Sequence, residues 1–434
     1  MKKVAFHTLG CKVNYFESEG VWHNFEEAGY DRVDFEQMAD VYVINTCSVT
    51  NGGDAKSRKF IRRAIRKNPE AVVCVMGCFS QTQLEAVVEI DGVDIVIGTS
   101  GRDQLVGLVE KYLASRQPIN LVGDIAQERS FESLTVTKFN NRKRGVLKIQ
   151  DGCNNFCSFC IIPWARGRVR SEKRSVVLSQ ARELVANGHV ELVLTGIHTG
   201  AYGEDFDDYD FADLLDELLQ IDGLLRLRIS SIEATELTDK VLDVLKSSDK
   251  VAKHLHIPIQ SGSDAILKAM NRKYDVAEFE ANMARIRKAL PGISITTDLI
   301  VGFPGETDAL FDESLETVKR IGFSELHVFP YSARSGTKAA TMQNQVPEIK
   351  KTLRVGQMIE VNKTLAKEYA TKFENQTLDV IVEGVKDGYA TGHASNYLKL
   401  KFPVEANFNG SFVKAKVRKA GYPESEGELV WKIY

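Results

Sequence analysis

Residues 146–160 read VLKIQDGCNNFCSFC. A short apolar run, 146–150, has strand character, and the loop after it delivers Cys153, Cys157 and Cys160 at the spacing C-x3-C-x2-C. Three thiolates on one short loop can hold three irons of a 4Fe–4S cluster, since thiolate is the usual cluster ligand. The fourth iron then has no protein ligand, and an open coordination position invites a substrate or cofactor. Zinc is the competing reading. It wants a fourth Cys or His nearby, and none lies between 161 and 188.

Outward from this loop the chain alternates strands with helices. ELVLT (191–195), RLRIS (226–230), LHIPI (255–259), ISITTDLIV (293–301) and ELHVF (325–329) read as strands. Helical stretches near 175–187, 211–221, 237–247, 276–290 and 308–321 separate them, and a long amphipathic stretch from 347 to about 370 closes the series. Six βα units predict a partial or full parallel barrel over 145–371, with active residues at the carboxyl ends of its strands.

Residues 1–120 show the same alternation. Strands are expected at KVAFHTL, ADVYVINT, AVVCVMG and VDIVIG, with helices near 14–28, 53–67, 80–90 and 103–114. Cys11, Cys47 and Cys78 each sit just past a strand, in TLGC, INTC and VMGC. Ligands of open parallel sheets gather beyond the carboxyl ends of strands, so these thiols can meet in space although 35 and 30 residues separate them. Cys74 lies inside a strand and reads as a small buried hydrophobe. Residues 121–144 lack a sustained period and read as a linker, and 372–434 hold short β-rich runs that predict a small β-barrel.

The whole chain has 434 residues, enough for about three domains, and a formal charge of −3. Such a balance announces no nucleic acid globally, so any basic site must be local. No run approaches the ~18 apolar residues of a membrane span. The opening MKKVAFHTLGC lacks the apolar stretch of ~7–15 residues that a signal peptide needs, so a cytoplasmic protein without membrane partners is expected. Seven cysteines, an odd number, argue against a disulfide framework. The acidic block 204–217 has eight carboxylates but no His or Cys, and reads as a solvated loop.

Longer motifs carry a resemblance. LKIQDGCNNFCSFCIIPWARGRVRS, HIPIQSGSDAILKAMNRKY, TTDLIVGFPGET, FPYSARSGT and, near the start, TLGCKVNYFESE, NTCSVTN and VMGCFSQ resemble the radical S-adenosylmethionine (SAM) methylthiotransferases. The resemblance spans nearly the whole chain. It implies a parallel-sheet α/β domain, a radical SAM partial (β/α)6 barrel, and a C-terminal barrel similar to the TRAM RNA-binding domain. It also implies two 4Fe–4S clusters, one on Cys153, Cys157 and Cys160 that binds SAM at its open iron, and an auxiliary one on Cys11, Cys47 and Cys78. One SAM methylates sulfur held at the auxiliary cluster, and a second supplies the 5′-deoxyadenosyl radical. An unactivated C–H bond cannot be ionised by an acid–base residue, which is why a radical is needed. An electron donor and a sulfur donor are implied partners that the sequence does not name.

By position, the resemblance assigns SAM contacts to Phe159, beside the third cysteine, and to Gly196 in LTGIHTG, which lacks the acidic residue often found there. Ser231 and Glu233, Gln260 and Ser261, and Val301 and Gly302 follow the third, fourth and fifth barrel strands. Each is equally compatible with a packing or turn role. His198 lies at the same rim, where a lone histidine more often makes a local hydrogen bond than a catalytic one.

Three basic concentrations suit phosphate binding by a structured RNA. KSRKFIRRAIRK (56–67) holds seven basic residues in twelve; Arg58, Arg62 and Arg66 align at helical spacing, as do Lys59, Arg63 and Lys67. Arg166, Arg168 and Arg170 follow the cysteine loop. Lys414, Lys416 and Arg418 share one face of a strand by period two. Any one patch alone reads as a solvated face. The family context makes the RNA a tRNA, held at its anticodon loop. Within the family, Lys12-Val13-Asn14 stands where the isopentenyladenosine enzymes carry Gln-Met-Asn, and the stretch is similar to the threonylcarbamoyladenosine branch. The expected reaction is 2-methylthiolation of N6-threonylcarbamoyladenosine at tRNA position 37. Arg334 is the expected partner of the threonyl carboxylate. The alternatives are isopentenyladenosine tRNA or a ribosomal-protein aspartate as substrate, a non-enzymatic iron–sulfur RNA-binding protein, and a zinc enzyme.

Overall fold

A computed structural model describes residues 2–139 and 144–432. The fold is α/β throughout, ending in an all-β barrel. The N-terminal sheet has six parallel strands in the order Asp31–Val33, Lys3–Thr8, Val41–Thr46, Val72–Gly77, Ile95–Ile97 and Ile119–Leu121. Its central strands are buried on both faces, as apolar runs such as VYVINT and VVCVMG require. Cys74 is fully buried in that core.

The second unit is a curved parallel sheet in two halves. Arg144–Lys148, Glu191–Thr195 and Arg226–Ile229 form one half; His254–His256, Ser294–Val301 and Glu325–Pro330 form the other. The bridge Ser231 to His256 joins them, and Leu227 pairs with Val251 just before the second half begins. The connecting helices follow apolar periodicity and carry their own caps. Asp210 and Asp275 close capping boxes, and Thr238 and Thr307 accept from backbone N–H groups three residues on. Asp210 and Asp213 of the acidic block thus cap a helix.

Helix Glu348–Thr371 leads into a closed barrel of five strands, Thr377–Lys386, Tyr389–Ala394, Lys399–Pro403, Phe412–Lys419 and Ser425–Lys432. Its interior alternates along each strand, with Val380, Val382, Leu400, Phe402, Val413, Ala415 and Val417 inside. This barrel docks on the starts of the second unit's strands. Arg226 donates to the Asp379 carbonyl (2.9 Å), and His254 stacks on Tyr397 with centroids 4.3 Å apart.

The expected linker is a packed strap. Ile119–Leu121 extends the first sheet, while Leu134, Val136 and Phe139 enter the core of the second unit. Gln180 donates to the Leu134 carbonyl (3.0 Å). The strap's apolar residues are too sparse to show a period, which is why it reads as linker; its residues 140–143 lie outside the described residues. Short elements also escaped the sequence reading: strand Asp31–Val33, helix Asp264–Ala269, and the ribbon pairing Gln150–Asp151 with Arg170–Ser171.

Candidate functional site

Three neighbouring strands of the first sheet end at one edge, and each is followed by a cysteine: Lys3–Thr8 by Cys11, Val41–Thr46 by Cys47, and Val72–Gly77 by Cys78. Adjacent parallel strands lie ~4.8 Å apart, so consecutive strand ends bring the three thiols to a common place. The backbone makes room for them. Gly10 has φ +98°, and a Cβ there would sit 3.0 Å from the Cys47 Sγ. Gly77 has φ +106°, and a Cβ would meet the Asn45 Oδ1 at 2.5 Å. Asn14 ties the first two loops together, donating to the carbonyls of Leu9 (2.8 Å) and Thr46 (3.0 Å). Burial pushes the Cys78 thiol up to about 11, with the Arg166 guanidinium pulling the other way; burial also raises Cys47.

The second cysteine loop is built with the same economy of space. Gly152, at φ +76°, precedes Cys153, and a Cβ would lie 1.8 Å from the Arg168 carbonyl. Gln150 bonds the carbonyls of Asp151 and Gly152, both at 2.7 Å, and accepts from His198 N at 2.8 Å. Ser158 pins the far side: its N–H reaches the Met270 carbonyl (2.9 Å) and its hydroxyl the Ala269 carbonyl (2.8 Å). Burial pushes Cys160 up to about 12 and raises Cys157. Two cations answer these thiols. Arg272 donates to the Cys157 Sγ at 3.4 Å and pairs with Glu233. His198 pairs with Glu236 at 2.5 Å; against the burial that lowers it, hydrogen bonds to Cys153 and Glu236 push its pKa up to about 11. A cavity of about 160 Å³ opens here, lined by Cys157, His198, Glu233, Glu236 and Arg272 among others.

Arg166 couples the two loops. It ends the short helix Ile162–Arg166 directly after Cys160, and that helix packs against Cys78–Thr82. Arg166 is fully buried and donates to Glu17 (2.7 Å), Asn14 (2.7 Å) and Asp151 (3.1 Å). Lys148 joins Glu17 (2.9 Å) and Asp151 (2.6 Å), and Arg102 joins Glu17 (2.6 Å). The three cations hold the Glu17 and Asp151 carboxyls far below the usual carboxylate range, against the burial that would raise them.

The donor sets fit iron–sulfur ligation. Each triad offers soft thiols, Cys78 and Cys160 being poor thiolates without a compensating cation, as burial makes them. The glycines before Cys11, Cys78 and Cys153 leave the space that a side chain would fill.

Residues 147–318 match the Radical SAM superfamily, and 3–98 match the Uncharacterized protein family UPF0004. The chain is 53% identical, over 99% of its length and 97% of the relative's, to the threonylcarbamoyladenosine tRNA methylthiotransferase MtaB of Bacillus subtilis. The chain belongs to the radical SAM tRNA methylthiotransferase family. The tRNA-2-methylthio-N(6)-dimethylallyladenosine synthase of Carboxydothermus hydrogenoformans, another relative, is 35% identical over 98% of each chain. Among solved structures, the radical SAM methyltransferase TsrM of Kitasatospora setae, with cobalamin and a 4Fe–4S cluster bound, superposes with a TM-score of 0.59. The match covers 78% of this chain and 77% of that one at 16% identity, and shows the shared fold.

Several residues expected at the site stand elsewhere. Arg166 is locked in the buried network, and Arg170, also buried, donates to the Arg166 carbonyl (2.9 Å); neither is open to a phosphate. Arg334 is taken by Asp54 (2.7 Å), Ser48 (2.8 Å) and Asn51 (2.6 Å), so it positions the loop after Cys47 instead of offering a free cation. The Ser261 hydroxyl is buried against Ser314 (3.4 Å). Gly302 gives its N–H to Glu306 (2.8 Å), and a Cβ there would meet Lys351 at 2.4 Å. Val301 belongs to the apolar core. Each of these three packs against other groups of the chain.

Others stay partly exposed near the strand ends. Phe159 packs, half-buried, against the cluster of Phe303 and Tyr331. Gly196 lies so close to Gln150 that a Cβ would come 2.8 Å from its Oε1. Ser231 and Gln260 are half-buried at strand ends, Gln260 in the left-handed region at φ +66°. Glu233 faces the small cavity. Arg272, Glu236 and the triad His256, Asp298 and His327 were not anticipated. The triad gathers ligand atoms within 4.8 Å of one another, from three adjacent strands. Its signal is register: in the paired strands, His256 and Asp298 stand two residues apart, so they share a face.

Proposed function

We propose that this enzyme adds a methylthio group at C2 of N6-threonylcarbamoyladenosine, position 37 of tRNA, using two 4Fe–4S clusters and SAM. The observation that carries the reading is the pair of cysteine triads, built on separate sheets and coupled through Arg166. Cys153, Cys157 and Cys160 would hold one cluster with SAM, and Cys11, Cys47 and Cys78 the other. When bound, these groups supply one-electron chemistry at an unactivated C–H bond.

The chain's own residues do the rest. Arg272 donates to the Cys157 Sγ and opposes the burial that raises this thiol, and His198 stands beside Cys153. Phe159, Gly196, Ser231, Glu233 and Gln260 are the residues proposed to seat SAM. Exposed cations suit the anticodon loop: Arg62 and Arg66 on the first-sheet helix, and Arg168 stacked over Phe156 at 4.9 Å. Arg58 lies over Phe79 (5.6 Å), and Arg63 is shared with Glu36 (2.5 Å). On the C-terminal barrel, Lys414 pairs with Asp379 (2.7 Å) and Arg418 with Glu428, while Lys416 between them stays half-exposed. Trp164 and Phe329, both about half exposed, offer stacking faces for unpaired bases.

The threonylcarbamoyl substrate is supported by the 53% identity to the Bacillus subtilis relative. Mass spectrometry of tRNA nucleosides from cells lacking this protein tests it. The methylthio-threonylcarbamoyl nucleoside is expected to vanish while the methylthio-isopentenyl nucleoside persists. The reverse pattern rejects the substrate.

A further inference from the structure

Strands His254–His256, Ser294–Val301 and Glu325–Pro330 are neighbours, and alternate residues of each face opposite ways. Leu255, Ile295, Leu299 and Leu326 join the core that holds Phe311 and Val318 of the covering helix Asp308–Ile321. His256, Asp298 and His327 therefore turn away from the helices, onto the inner face of the curved sheet. The pairing sets their level: His256 stands opposite Thr296, two residues before Asp298, and Asp298 stands opposite His327. Solvent reaches them there, with 14%, 30% and 39% of their side chains exposed.

Among the described residues, no other group of three or more His, Cys, Asp and Glu brings its ligand atoms within 4.8 Å of one another; neither cysteine triad does. Asp298 meets His256 Nε2 at 3.3 Å and His327 Nδ1 at 3.4 Å, one ring on each carboxylate oxygen. Charge-assisted hydrogen bonds close to ~2.7–2.9 Å. The pairs His198–Glu236 and His393–Glu383 of this chain do close, to 2.5 and 2.8 Å. The wider spacing suits donor atoms that share one ion, since ligands ~2.0–2.1 Å from a tetrahedral zinc stand ~3.3–3.4 Å apart. Thr296 holds the other ring nitrogen of His256 at 2.8 Å, the kind of outer contact that orients a ligating imidazole. Nearby charges favour a cation. Glu325 shares the face of His327, and both line a cavity of about 240 Å³ with Ser294 and Thr296. Arg144, Arg226 and Arg228 are paired with Glu191.

The geometry points to a metal centre separate from the cysteine triads, in which His256 Nε2, Asp298 and His327 Nδ1 bind one divalent cation of the zinc class. Two imidazoles and a carboxylate make a donor set that zinc accepts and that magnesium or calcium, which want oxygen throughout, does not. Three protein ligands leave a fourth position open. It lies on the solvent side, beside the half-exposed His327 and Asp298, and takes a water or another oxygen donor.

The test dialyses full-length, cluster-reconstituted enzyme against zinc chloride at fixed free metal, then counts zinc and iron on each chain. Wild type is expected to hold about one zinc at ~10 µM free metal and to keep its iron; zinc displaces any ferrous ion from such a site by the Irving–Williams order. X-ray absorption at the zinc edge should show two imidazoles and oxygen at ~2.0–2.1 Å, without sulfur. Asp298→Asn and His327→Phe should each raise the free zinc needed for half-occupancy at least about a hundredfold, and Thr296→Val about tenfold. His23→Gln, at the exposed pair with Glu27 on helix Lys12–Glu27, should change nothing. Unchanged iron and circular dichroism separate loss of a ligand from misfolding, and the zinc-edge spectrum of wild type depends on no variant. A wild type that binds no zinc, sulfur neighbours at ~2.3 Å, or undiminished affinity in either ligand variant overturns the inference.

Discussion

At the scale of single residues, charge in a sequence does not disclose exposure. Arg166, Arg168 and Arg170 read alike, yet only Arg168 meets solvent. What separates them is Glu17 and Asp151, one of them 149 residues away from Arg166 in the chain. Arg334 was likewise legible as a cation near the site, but its partner Asp54 lies 280 residues away, in the first turn of helix Asn51–Lys67. The cysteines are the opposite case. Their chemistry is intrinsic to the thiol, so their spacing and strand context sufficed. Removing Arg166 leaves two buried carboxylates short of a counter-charge. Arg166→Met is expected to cost ~3–5 kcal/mol, measured by urea unfolding. A loss under 1 kcal/mol would mean the network is not what holds the two sheets together. Cys157→Ala is expected to abolish 5′-deoxyadenosine release from SAM, measured by chromatography after reduction; retained release would place SAM cleavage elsewhere.

At the scale of elements, most strands and long helices follow directly from apolar periodicity, and the ends of three strands place three cysteines without further help. Short elements were illegible because three residues of strand or six of helix hold too few apolar positions to show a period. Gly152 shows how an element is fixed by what it excludes. Gly152→Ala should drive a methyl into the Arg168 carbonyl and lower the iron bound at Cys153, Cys157 and Cys160, as read by iron analysis. Helix Asn51–Lys67 begins at a Thr50 cap and presents Arg62 and Arg66 to solvent. If both contact phosphate, Arg62→Ala with Arg66→Ala should lower the slope of log K for tRNA against log salt by about one to two. An unchanged slope would remove this helix from the RNA surface.

At the scale of the molecule, buried ion networks join the units: Glu17 and Asp151 with Arg102, Lys148 and Arg166 between the sheets, and Glu191 with three arginines beside the C-terminal barrel. Glu191 is lowered from its usual 4.5 to about 2 by Arg228, Arg144 and Arg226, which overcome its burial. Glu17 and Asp151 are lowered as well. The unfolded chain therefore takes up protons on these groups first as the solution is acidified. Their contribution to stability is complete above about pH 4.5 and is lost as pH falls toward 2 and below. Unfolding midpoints should hold near neutrality and drop steeply under pH 4.5; a Glu191→Gln variant should start lower at pH 7 and drop less.

The central claim, that one chain builds two separate iron–sulfur sites, is tested most directly by iron and sulfide analysis of anaerobically reconstituted protein. Wild type should bind about eight irons, and replacing either Cys11, Cys47 and Cys78 or Cys153, Cys157 and Cys160 by alanine should leave about four. About four irons in wild type, or no loss when the first triad is removed, would contradict the account.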